Sequence, residues 1–163
     1  MTRDHEARES DAQIRSRREG MTDRAREFHD ALTVAIEGLE RALAAAAATR
    51  VKPWSERVAR ELDLVRSAIS AHATNFEEKD GIFDEVEVAN PRLSSRADEL
   101  RSEHGAMIAC ADGLALRLPA DADADFALLR RDIASLLTTL RTHRAAETDL
   151  IFEAFWTDLG APH

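Results

Sequence analysis

An all-α fold, an up-down-up-down antiparallel four-helix bundle, is predicted by three observations on the 163-residue chain. Glycine and proline are scarce, at 6 and 4 residues, while strong helix formers (Ala, Leu, Arg and Glu) fill long stretches. Apolar residues recur at steps of three and four in four separate stretches, the pattern of a helix with one buried face. The joins between the stretches are short, which makes consecutive helices antiparallel neighbours. No stretch shows a strand pattern, and 163 residues suit a single core.

Residues 1 to 20 alternate charges, carry few large apolar side chains beyond Met1 and Ile14, and end at Gly20. Such a segment buries too little surface to order itself, so residues 1–20 are read as a charged, mobile or loosely helical tail and residues 21–163 as the bundle. From Thr22 a seam begins with His29, Leu32, Ile36, Leu39 and Leu43, and this helix should run through the alanine run to about Thr49. Pro53 ends that run and suits the first turn of the next helix. There Val58, Leu62, Val65, Ile69, His72 and Phe76 form the seam. EEKDG interrupts it at Gly81, IFDEV resumes a short helical pattern, and Asn90 with Pro91 closes that segment. Ser95 and Asp98 form a capping box for the third long helix, with Leu100, His104, Met107, Ala111, Leu114 and Leu118 in register and Pro119 after it. After an Asp/Ala linker the fourth seam carries Phe126, Leu129, Ile133, Leu136, Leu140, His143, Glu147, Leu150 and Ala154, stopping near Gly160.

Composition excludes several functions. The formal charge of −9 argues against a phosphate-binding face and so against nucleic acid. No apolar run approaches the ~20 residues of a membrane span, and MTRDHEARES has no apolar signal segment, so a cytoplasmic protein without membrane partners is expected. The single Cys110, near the inner face of the third long helix, rules out an internal disulfide and a multi-thiolate zinc site; it reads as a buried structural thiol. Phe28, Phe76, Phe83, Phe126, Phe152 and Phe155 read as core or lid packing, and Glu37, Glu61 and Asp132 as solvated helix faces.

Histidine carries the chemical signal. His5 and His163 lie in the terminal segments, whereas His29, His72, His104 and His143 divide one to a helix and all fall on apolar seams. A seam takes about two positions in seven, so chance alignment of all four is roughly one per cent. Burying four imidazoles and the carboxylate of Glu147 unpaired would cost about 1–3 kcal/mol each, a sum comparable with a domain's ~5–15 kcal/mol of stability. Either a mutual hydrogen-bond network satisfies them, with His143 bonding Glu147, or a metal does; imidazole with carboxylate suits iron, zinc or manganese. His143 and Glu147 are four residues apart, roughly 40° around the helix axis, and can reach one ion. His72 has Phe76 at four and Glu77 at five, where a regular helix points about 140° away. Glu77 therefore needs a π-bulge between Ala71 and Glu78, or a helix end, to turn inward; Glu78 is the alternative.

With these residues the chain resembles the hemerythrin-like, HHE cation-binding family: His29; His72 with Glu77; His104; His143 with Glu147. HATNFEEKDGIFDEV and HRAAETDLIFEAFWTDLG resemble a divergent actinobacterial-type branch, with the second helix's carboxylate five residues after its histidine, and the likeness covers about residues 22–160. The resemblance implies a metal set of His29, His72, Glu77, His104, His143 and Glu147. It implies two non-haem irons bridged by carboxylates, reactive toward dioxygen, peroxide or nitric oxide; the displaced Glu77 leaves one metal or none as alternatives. Ile108 stands four after His104 where oxygen carriers of the family place another histidine, so simple oxygen transport is not implied. An iron-responsive sensor or store, and a helical interaction module with a decayed site, are the other functional readings.

Overall fold

The computed structural model describes residues 2–45, 51–118 and 123–156. Four long helices, α1 (Thr2–Ala44), α2 (Val51–Glu77), α4 (Ser94–Leu116) and α5 (Asp123–Trp156), are joined by a short helix α3 (Ile82–Ala89) and a single 3-10 turn at Pro91–Leu93. There is no strand among the described residues. Around the bundle α1 packs on α2, α2 on α4, α4 on α5, and α5 back on α1.

The direction of each helix follows from two apolar clusters. One gathers Leu32, Ile36 and Leu39 with Val58, Leu62, Val65 and Ile69, and with Met107, Leu114, Ile133, Leu136 and Leu140. The other gathers Met21, Ala25, Phe76, Leu100, Leu150, Ala154 and Phe155 with Ile82, Phe83 and Val86 of α3. Sequence order through the two clusters reverses from each long helix to the next, which is the antiparallel up-down-up-down arrangement. Of the seam's apolar residues only Leu43, Leu118 and Phe126 are partly rather than fully buried. Periodicity alone located the core because burial of one helix face demands it.

The charged segment takes the helical form that the sequence allowed it: α1 starts at Thr2, twenty residues before the seam. Beyond Gly20 the first buried side chain is Met21, and at Arg17 the extension is tied to α3 by an ion pair with Glu85 at 2.8 Å. Several expectations are corrected. The Ser95–Asp98 capping box does not form: α4 begins at Ser94, Leu93 occupies the cap position without a side-chain bond, and the chain is turned earlier, where Asn90 Oδ1 accepts from Arg92 N–H at 3.2 Å. Cys110 is exposed, because Met107, Ala111 and Leu114 take the inward positions of α4. Phe152 is 60% exposed, one residue past the buried Leu150 and Ile151. The expected end of the first helix at Thr49 and the stop near Gly160 lie outside the described residues.

The EEKDG turn has a defined geometry. Asp80 adopts a left-handed φ of 63°, a conformation tolerated by Asp, and its N–H donates to Asp84 Oδ2 at 3.0 Å. A Cβ on Gly81 would stand 2.6 Å from the Glu78 carbonyl and 2.9 Å from that of Phe76, so only glycine fits against the end of α2. This turn swings α3 across the bundle, and Phe83 lands on the His104 ring, centroids 5.9 Å apart.

Candidate metal centre

On every long helix the two apolar clusters meet at a histidine. Ala25 and Leu32 flank His29, Ile69 and Phe76 flank His72, Leu100 and Met107 flank His104, and Leu140 and Leu150 flank His143 with Glu147. The four seam histidines thus occupy one polar layer between two dry ones. His72, His104, His143 and Glu147 are buried to within 1% of their surface, and His29 retains 13% side-chain exposure.

Glu147 is the hub. Its Oε1 lies 3.0 Å from His72 Nε2, 3.1 Å from His104 Nε2 and 3.0 Å from His143 Nε2, and its Oε2 lies 3.0 Å from His29 Nε2. One donor atom from each of His72, His104, His143 and Glu147 falls within 4.8 Å of the others, close enough to share an ion. Burial alone would raise the Glu147 pKa, but the surrounding imidazoles hold it well below the usual carboxylate range. Burial drives His72 below its ordinary value despite Glu147. His143 is also penalised by burial, yet the carboxylates of Glu147 and Glu103 carry it above its ordinary value.

Glu77 is not turned into this cluster. Glu78 N–H donates to the Thr74 carbonyl at 2.9 Å, an ordinary α-helical bond, so no π-bulge absorbs the five-residue step from His72. Phe76 takes the inward position, with its ring 4.1 Å from that of His72, and Glu77 keeps 33% side-chain exposure. From the rim of α2 its Oε1 instead accepts from His104 Nδ1 at 2.5 Å, on the ring nitrogen facing away from Glu147. Glu78 is farther out, paired with Arg24 at 3.2 Å.

A residue the sequence did not single out repeats that contact. Glu103 Oε2 accepts from His143 Nδ1 at 2.6 Å while Nε2 of the same ring faces Glu147. The only available signal was its place beside His104, about 100° around α4 and so toward a neighbouring helix. Exposed glutamates elsewhere in the chain carry the same signal.

The contacts at the two ring nitrogens fit a cation. A neutral imidazole has one N–H, and a neutral His104 or His143 would commit it at Nδ1 to the carboxylate there. Their Nε2 lone pairs then face the Glu147 oxygens, and His143 Nε2 makes no well-directed hydrogen bond despite its 3.0 Å approach. Lone pairs meeting lone pairs in a buried layer require either extra protons or a metal ion between them.

The fold and this layer together define a class: four-helix bundles built around a buried histidine and carboxylate site able to hold a metal ion. The model of the hemerythrin HHE cation-binding domain matches residues 21–155, and the chain belongs to that family. No curated protein and no solved structure matches the chain.

Proposed function

We propose that the bundle binds one non-haem iron ion through His29, His72, His104, His143 and Glu147, and presents it to dioxygen, peroxide or nitric oxide. The observation that carries this reading is the convergence of four Nε2 atoms on one buried carboxylate. Four imidazoles with one carboxylate suit a first-row transition metal and leave room for an exogenous ligand. A single ion is preferred over the two suggested by resemblance because a bridged pair needs a second inward carboxylate, and Glu77 faces the outer nitrogen of His104. When bound, iron supplies an open coordination position and one-electron chemistry toward such small molecules.

The chain's own part is to orient the donors and keep water out. Phe76 and Phe83 wall the layer on the α3 side, lying against His72 and His104. His29, with 13% of its side chain exposed, marks the side on which a small molecule reaches the layer. A decayed site would have to carry extra protons on Nε2 of His104 and His143 to reconcile those rings with Glu147. No described helix is long and apolar enough to cross a membrane. Elemental analysis of protein purified aerobically without chelator tests the reading, with about one iron per chain expected. Absence of any transition metal, even after ferrous reconstitution, would overturn it.

A further inference from the structure

Two carboxylates outside the proposed donor set contact it in the same way. Glu77 on α2 reaches His104 on α4, and Glu103 on α4 reaches His143 on α5, each accepting from Nδ1 at 2.5 and 2.6 Å respectively. Each is thus supplied by one helix to the histidine of the next around the bundle. The rings they touch are 1% and 0% exposed, whereas the carboxylates keep 33% and 49% exposure, so both reach inward from the rim. Ordinary surface ion pairs join two exposed, freely rotating side chains; here one member of each pair is fixed in the core.

We propose that Glu77 and Glu103 are positioning residues, which hold the Nδ1 protons of His104 and His143 and thereby set both rings with unprotonated Nε2 toward the cation. This role rests on the metal-binding reading above. It reassigns Glu77 from ligand to support and gives Glu103 a function. His72 differs, since its buried Nδ1 has no partner among the described residues. Two of the inward imidazoles are therefore preset by carboxylates, and preset rings lose less freedom when the ion arrives.

Cobalt(II) serves as the probe, read by chelator competition for affinity and by proton NMR of the loaded protein for the exchangeable imidazole N–H signals. Glu103→Ala and Glu77→Ala should each weaken cobalt binding by ~10–100-fold, the range typical of lost outer partners of metal-bound histidine. Each should also speed solvent exchange of one signal only, that of His143 for Glu103→Ala and that of His104 for Glu77→Ala. Glu103→Gln and Glu77→Gln should recover most of the affinity, because the amide oxygen still accepts from Nδ1–H. The exposed Glu99→Ala should match the wild type in both readouts. Alanine variants that bind cobalt like the wild type with both signals unchanged would overturn the positioning role alone. Wild-type protein that takes up neither cobalt nor iron would overturn the metal reading and this role with it.

Discussion

Glu147 has four imidazole nitrogens within 3.1 Å, one from each of the four long helices. Glu147→Ala should abolish stoichiometric metal, while Glu37→Ala, on the exposed face of α1, should retain it; plasma emission analysis of both proteins decides. Equal metal in the two would remove Glu147 from the site. Protons and metal compete for the same nitrogens, so metal uptake should release on the order of one or two protons per ion, measurable with an indicator dye in weak buffer. Acid acts on the metal-free protein through His72, whose lowered pKa costs stability as pH falls below 6.5, and further through Glu147. Its folded pKa lies below the ordinary 4.5, so its contribution to stability is complete above that value and fades as pH falls through and below it. Melting temperature of the metal-free protein should fall further below about pH 4.5 as Glu147 is protonated on unfolding.

Among the elements, the turn between α2 and α3 is the most constrained. Gly81→Ala would drive a Cβ into the Glu78 and Phe76 carbonyls at 2.6 and 2.9 Å, neither of which can move without unwinding the end of α2. A cost of about 1–3 kcal/mol is expected, as for other overpacked sites. Calorimetry should show a melting temperature lower by roughly 2–12 °C at 2–4 °C per kcal/mol. An unchanged melting temperature would mean that α3 is not held by this turn. Because α3 brings Phe83 to His104, displacement of the turn should also loosen the wall of the metal layer.

For the whole molecule, the site joins all four long helices, so an ion bound only by the folded state stabilises it by RT ln(1 + [L]/Kd), about 2.7 kcal/mol at a hundredfold excess over Kd. Iron-loaded protein should accordingly melt several degrees above the metal-free form. The extension at the start of α1 is held to the bundle weakly. Its described ion pair, Arg17 with Glu85, joins an arginine that is 73% exposed to a glutamate that is 30% exposed, and pairs of that kind contribute little. A chain beginning at Met21 should therefore fold and keep its metal. Loss of iron from that truncated protein would make residues 1–20 part of the domain.

The four seams, the burial of His72, His104 and His143, and the alliance of His143 with Glu147 were all legible in the sequence. Helical period is a local property, and a side chain four residues along the same face needs no knowledge of its neighbours. Five-residue spacing already marked Glu77 as irregular, but whether the chain would bulge or leave it at the rim depended on how Phe76 packed against His72 and His29. Glu103 could not be told from any solvated glutamate until α5 lay beside α4 and placed His143 Nδ1 within 2.6 Å. Sequence by itself determined which residues face the core, because that follows from the geometry of one helix. Only the tertiary structure decided which carboxylates enter the layer and which support it from outside, because that depends on the rotation and spacing of helices against one another.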